Sequence, residues 1–371
     1  MYSVYQHWDP LKVCIVGRCY EPKFFDYIKN SKVRNVFYKI AEETEEDYQK
    51  LILLLESFGV EVLRPEVASN YKWYLNNNKV IPPPMTPRDY TAMIGNKFYS
   101  KFRAVEKIWD EIKGDSWSDC PKCFEDIPQW IFDECKNKLN FTWTYEDFAY
   151  NNILKKIGEN AEIILHDTIN SAMTTRLGKD LYFGTNSPND DTDQIKKTFQ
   201  NLFPEYRCHV VETDGHSDAS YCPVVPGLII SLKDMPTYEK TFPNWEVVYL
   251  PEQSWSKVNS FLRLKEKNKG KWWVPGEELN EDFTNFVETW MTDWVGYVEE
   301  TVFDVNMLVV DKKNVICNNY NKKVFDAFSK FGITPHVVNF RHRYFWDGGL
   351  HCITSDIHRE GNIQDYFPER G

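Results

Sequence analysis

One unit recurs along this chain and limits its architecture more than any other feature. It is an amphipathic helix stopped by Phe-Gly and followed by a short β-branched strand. Near the N-terminus, Tyr48, Leu51, Ile52, Leu55 and Phe58 share one helical face, Gly59 follows, and residues 60–63 read as a strand. Thr44 and Asp47 stand at the spacing of a capping box at the start of that helix. Near the C-terminus, Val324, Phe325, Ala327, Phe328 and Phe331 precede Gly332 and a strand over 336–340. In both copies the glycine falls where a helix ends in a left-handed residue. A looser copy covers 195–203 and 207–211.

Hairpins accompany these units. Residues 307–310 and 315–317 flank the turn Asp311-Lys312-Lys313-Asn314, and 90–94 with Phe98-Tyr99 flank Gly95-Asn96. Residues 181–183 and 228–230 are further apolar strands. Repetition of hairpin, helix and strand argues for an α/β protein built from similar modules around a common centre, with an ordinary mixed α/β fold as the alternative that the repeats alone leave open. Segments 100–150 and 252–296 break the pattern; rich in Trp, Lys, Asp and Glu, they read as insertions or peripheral helices that cover a pocket.

Composition removes several functions. With 44 basic and 55 acidic residues, the net charge of −11 argues against general nucleic-acid binding, which needs a basic face, while leaving room for a local cationic pocket. No apolar run approaches the ~18 residues that span a bilayer. The first ten residues show no basic region followed by an apolar one, so no signal peptide is expected. Nine cysteines, an odd number, read as reduced thiols of a cytoplasmic protein rather than a disulfide framework. Cys120-Pro121-Lys122-Cys123 with Cys135 lacks a fourth ligand for a closed zinc site, so no metal is expected.

The chemistry centres on Gly348-Gly349-Leu350-His351-Cys352-Ile353-Thr354. Paired glycines allow positive φ or close backbone approach. A cysteine behind them is expected to be displayed on a turn, where a nearby base makes it a nucleophile. His216-Ser217-Asp218 supplies a base and a carboxylate that share a face if the segment is extended. Asp89, in Pro87-Arg88-Asp89, adds a second carboxylate at a strand entry. Two carboxylates and a thiol suit a guanidinium, which is planar and offers donors to both while exposing its carbon to attack.

These residues stand in a wider series: Trp8-Asp9-Pro10-Leu11, Val16-Gly17-Arg18, Pro87-Arg88-Asp89 with Gly95-Asn96, His216-Ser217-Asp218 with Pro226-Gly227, 306–311, the Cys352 segment, and Arg359-Glu360-Gly361. In this order they resemble the amidinotransferases of the guanidino-group-modifying (pentein) superfamily, nearest to the arginine:glycine amidinotransferases. The resemblance implies one five-bladed α/β-propeller of ββαβ modules over 1–371, with no metal or organic cofactor. It implies ping-pong transfer between a small guanidino donor, arginine by analogy, and an amine acceptor, with pairing into a homodimer an expectation of the family. Cys352 would form the covalent amidino-thioether, His216 would move protons, and Asp89 and Asp218 would grip the guanidinium.

Three departures accompany it. The acidic residue that orients the family's histidine falls on Asn170; its amide would hold the imidazole without charge, predicting a slower enzyme or a shifted pH optimum unless Asp167 substitutes. The arginine that grips a substrate carboxylate aligns with Met235, with Lys233 near it. A serine pair aligns near Glu299-Glu300, so Glu300 would face a substrate carrying an amine rather than a carboxylate at its far end. Two alternatives remain: a guanidine hydrolase or deiminase, in which water resolves the intermediate, and a catalytically inactive guanidinium-binding propeller.

Overall fold

The computed structural model describes residues 1–67, 82–113, 120, 127, 129–139, 144–187, 189–213, 215–232, 238–250, 272–295 and 302–370. Its strands form five three-stranded sheets, each the same unit: an antiparallel hairpin whose second strand pairs in parallel with a third. The first sheet pairs β1 (Leu11–Val16) with β2 (Glu61–Leu63) in parallel and with the last strand, β15 (Thr354–Arg359), antiparallel. The others are β3 (Thr91–Ile94), β4 (Lys97–Ser100) and β5 (Glu162–Leu165); β6 (Thr174–Leu177), β7 (Asp180–Gly184) and β8 (Arg207–Val211); β9 (Tyr221–Val225), β10 (Leu228–Ser231) and β11 (Glu246–Tyr249); and β12 (Leu308–Asp311), β13 (Asn314–Cys317) and β14 (Thr334–Val337). The result is a five-bladed α/β-propeller, closed because the C-terminal strand completes the blade begun at the N-terminus.

Burial separates inside from outside. Every residue of β3, β6 and β9 is buried, whereas β5 and β14 are exposed at both ends and half-buried in the middle. The first strand of each hairpin therefore lines the axis and the third lies at the rim. Side-chain bonds tie these inner strands to one another. Thr91 meets Ser355 at 3.1 Å, Arg176 Nη1 donates to Met93 O at 2.7 Å, Tyr221 donates to Thr175 Oγ1 at 3.1 Å, and Arg359 Nη2 donates to Val309 O at 2.8 Å.

Asp356 holds the axis. Its carboxylate accepts from Arg176 Nη2 at 2.8 and 2.9 Å, from Arg359 Nε at 2.8 Å and from Arg88 Nη2 at 3.2 Å, with all four side chains buried. The three guanidinium groups hold the Asp356 carboxyl well below the usual carboxylate range, against a burial penalty in the other direction.

The repeats read from sequence correspond to blades. Gly59 and Gly332 end their helices at φ +74° and +69°. The capping box expected at Thr44 and Asp47 is not there. The helix runs Ser31–Ser57 and is capped by Asn30, whose side chain accepts from Lys32 and Val33 N–H. Thr44 and Asp47 are instead buried in its interior, where Thr44 accepts from Trp346 Nε1 and Asp47 from Arg341 Nε. The strand after Gly332 is Thr334–Val337, earlier than expected. Within the segment 100–150, the helices Val105–Ile112, Gln129–Leu139 and Tyr145–Ala149 lie between β4 and β5. Helix Glu281–Trp290 packs against Ser31–Ser57, with Phe283 and Phe37 rings 5.3 Å apart.

Candidate active site

The candidate residues share one position in the repeat. Asp89 lies in a 3-10 turn just before β3, Asn170 just before β6, His216 and Asp218 just before β9, Asn306 just before β12, and Cys352 just before β15. The pseudo-repeat thus delivers at least one polar group per blade, and two before β9, to the same end of the axis, although the residues are scattered over the chain.

Cys352 is buried, not displayed, with 8% of its surface exposed. The turn that carries it folds against Asn306, whose Nδ2 donates to Cys352 Sγ at 2.9 Å and whose Oδ1 accepts from His351 N and Cys352 N at 2.9 and 3.2 Å. Gly349 permits this contact, since a Cβ there would lie 2.4 Å from Asn306 Oδ1. Gly349 therefore serves close approach; the positive φ, +51°, falls on Asp347. Cys352 Sγ stands 3.5 Å from Asp218 Oδ2. Burial, then the charges of Asp218 and Asp89, raise its thiol well above the ordinary value, and the Asn306 bond opposes them.

His216 and Asp218 do not share the face of a strand. His216 caps the 3-10 turn Ser217–Ala219, which is fixed by Asp218 N donating to Ala172 O at 3.3 Å and Ser217 Oγ to Met173 O at 3.1 Å. The turn still brings both into the site. His216 Nδ1 lies 3.7 Å from Asp89 Oδ1, and Asp89, Asp218 and Asp347 together raise the imidazole's pKa against burial. Asp89 is pushed up to about 6, chiefly by burial and then by the charge of Asp218, with His216 opposing. Asp218 lies below the ordinary carboxylate value, held there by His351, whose Nδ1 is 2.9 Å from Asp218 Oδ2, and by the charges of His216 and Arg88.

One oxygen of each carboxylate, Asp89 Oδ1 and Asp218 Oδ1, is buried without a hydrogen-bond partner among the described residues. Leaving such atoms unpaired is costly, so the arrangement suits a ligand with several donors. Beside Asp89 opens a cavity of about 190 Å³, walled by Tyr90, Trp294 and Trp346; among its described lining residues the ionisable acids are Asp89, Asp293 and Asp347, with no lysine, arginine or histidine.

Asn170 sits at the same end of the axis, but its Oδ1 accepts from Met173 N at 2.9 Å in its own turn, and Asp167 is exposed. Met235 and Glu300, with Lys233, Glu299 and Cys123, lie outside the described residues. Asn306 was legible only as part of a matching block; its place just before β12, equivalent to that of Asp89 before β3, was the signal for a role at the thiol. Among the described residues no group of three or more His, Cys, Asp or Glu side chains could hold a metal, and no helix is long and apolar enough to cross a membrane.

Comparison with known proteins adds the following. No family model matches the chain. It is 23% identical over 398 residues to the mitochondrial glycine amidinotransferase of Xenopus tropicalis, covering 98% of this chain and 84% of that one. It is 20% identical over 408 residues to the L-arginine:L-lysine amidinotransferase of Pseudomonas savastanoi pv. phaseolicola, covering 98% and 96%. Among solved structures it superposes with TM-score 0.61 and 18% identity on an amidinotransferase of the saxitoxin biosynthetic pathway from Microseira wollei, covering 99% of each chain. The inosamine-phosphate amidinotransferase of Streptomyces griseus gives 0.60 and 17%, again over 99% of each.

Proposed function

We propose, from the premise that the chain belongs to the amidinotransferase family with its pentein fold, that it moves an amidino group from a guanidino donor to an amine through Cys352. The observation that carries this reading is the pair of buried oxygens on Asp89 and Asp218 that lack a hydrogen-bond partner among the described residues, near the Cys352 thiol. A guanidinium held between them donates to both and presents its carbon to Sγ. Its positive charge also offsets the two carboxylates that keep the thiol protonated, so binding the donor favours the thiolate.

On donor binding the Cys352 thiol gives its proton to His216, the thiolate bonds to the guanidinium carbon, and the carbon–nitrogen bond to the departing amine breaks as His216 delivers that proton to the nitrogen. The product amine leaves a covalent amidino-thioether. An acceptor amine then gives a proton to His216, its nitrogen bonds to the amidino carbon, and Cys352 leaves as the thiolate, taking the proton back from His216 to restore the thiol. His216 suits both tasks because the surrounding carboxylates raise its pKa.

The acid-lined aromatic cavity supports a substrate whose far end carries an amine. Carboxylates and indole or phenol faces attract an ammonium and repel a carboxylate. L-Arginine is the first donor to test, against guanidino compounds ending in an amine.

The test is product analysis by mass spectrometry with L-arginine and a pool of small amines, Cys352→Ala serving as control. Ornithine with a newly amidinated amine is the expected result, abolished in the control. Citrulline or urea in place of an amidinated amine overturns transfer in favour of hydrolysis. No conversion and no amidino mass gain on Cys352, with any guanidino donor, leaves a binding protein.

A further inference from the structure

The imidazole of His351 lies against the site but moves no proton in the steps above. It is largely enclosed, with 12% of its side chain exposed, its Nδ1 faces Asp218 Oδ2 at 2.9 Å, and a carboxylate can only accept, so Nδ1 carries the hydrogen. The ring is itself held on both sides of its backbone. His351 N donates to Asn306 Oδ1 at 2.9 Å, and its carbonyl accepts from Arg88 Nε at 2.7 Å. Asp218 is anchored at its other end, where its carbonyl accepts from Asn306 Nδ2 at 3.3 Å.

We infer that His351 is the positioning residue for Asp218, a neutral donor that fixes one carboxylate oxygen so that the other is presented, with the negative charge undiminished, to the substrate's guanidinium. This rests on the proposed guanidinium cradle and assigns a part of it.

Neutrality is the point of using histidine here. The groups that face the ring are Asp218, Arg88, Asp356 and, through rings 6.2 Å apart, His7. Burial and then the charge of Arg88 push His351 down to about 4, so it holds Asp218 as an uncharged imidazole near neutral pH. A lysine or arginine in its place would hold the carboxylate equally well but would cancel the charge that the donor needs. A serine would be too short to span the gap. Asp218, in turn, must not swing, since Oδ2 also lies 3.5 Å from the nucleophile.

The test uses two electrophiles of nearly the same shape, cationic 2-chloroacetamidine and neutral chloroacetamide. Each alkylates Cys352 by forming an Sγ–carbon bond as chloride leaves, and the thiol proton passes to solvent. The readout is the ratio of their rate constants, each normalised to a free thiol, in proteins whose fold is checked by circular dichroism.

Wild type should prefer the cation, and His351→Leu should lower that preference about tenfold, the scale of one hydrogen bond to a charged group. His351→Asn, which keeps an N–H near the Nδ1 position, should stay within about threefold of wild type. His351→Gln, whose amide falls near the Nε2 position, should behave like the leucine variant and replaces it if that variant does not fold. With L-arginine as donor, the leucine variant should raise KM more than it lowers kcat.

A preference equal in wild type, His351→Leu and His351→Gln overturns the inference while leaving the cradle intact. Absence of any cation preference in wild type overturns the cradle itself.

Discussion

Two buried clusters near the axis use the same chemistry to opposite ends. At Asp356 the chain supplies three guanidinium groups of its own, from Arg88, Arg176 and Arg359, and both carboxylate oxygens are bonded. At the Cys352 end, Asp89 and Asp218 each keep a buried oxygen without a hydrogen-bond partner among the described residues. The acidities record the difference. Three cations hold Asp356 far below the ordinary range, whereas burial and a like charge raise Asp89 to about 6. In one cluster the carboxylate is fully bonded and secures the closure of the propeller. The other is left in deficit of donors, which is how a site retains affinity for a ligand of the same kind.

The largest effect that would break this contrast is on stability. Asp356→Asn leaves three buried guanidinium groups without a carboxylate and should cost about 3–5 kcal/mol or more in chemical denaturation. A loss near 1 kcal/mol, the size of an ordinary substitution, would show the cluster to be incidental to closure.

Asp89→Asn should do the reverse. Binding of the guanidino donor should weaken about 10–100-fold, measured as KM or as protection of Cys352 from alkylation. Stability at pH 8 should be unchanged or higher, because the charged form of Asp89 is disfavoured in the folded protein. A donor affinity that survives the change would remove Asp89 from the cradle.

pH separates the two clusters again. As pH falls through about 6, Asp89 gains a proton, and donor affinity should drop by up to about tenfold per unit. Its contribution to stability has the opposite sign: the folded state holds that proton more tightly than the unfolded one, so stability falls as pH rises from the ordinary carboxylate value through about 6. Asp356, with its pKa depressed, contributes stability that is present above the ordinary value and is lost only well below it. Binding should thus fail in a pH range where circular dichroism still reports the fold; coincident loss would mean that the site and the closure titrate together.

The smallest expected effect is at Asn170. Its oxygen already accepts from Met173 N–H, and the carboxylates acting on His216 are Asp89, Asp218 and Asp347. Asn170→Asp keeps the acceptor and the turn, so kcat should change by less than about threefold. A large rise in kcat, or a displaced pH optimum, would restore the sequence-based reading in which an acid at this position orients the histidine.

The blades that were legible in the sequence are those whose hairpins and helices are apolar on one face, such as Leu308–Asp311 with Asn314–Cys317 and the helix Lys322–Phe331. The inner strands were harder to see for a physical reason. Thr174–Leu177 and Thr354–Arg359 carry Arg176, Asp356 and Arg359 into the axis, so they lack the alternation that marks a half-buried strand. Tyr221–Val225 contains Pro223, tolerated because β9 is the edge strand of its sheet. The Thr44 and Asp47 reading failed because buried polar residues with distant partners mimic a cap signal.

At the site, residue types were legible and their states were not. Cysteine, histidine and carboxylates at 352, 216, 89 and 218 follow from motifs in the chain, and so does the class of group they suit. The burial of Cys352, the 3-10 turn that replaces an extended segment at His216, and the pairing of Asn306 with the thiol depend on contacts between different blades. Local sequence determined which chemical groups each blade carries to the axis. Only closure of the ring decided which of them are satisfied and which remain open, because hydrogen-bond partners and desolvation come from blades far apart in the chain.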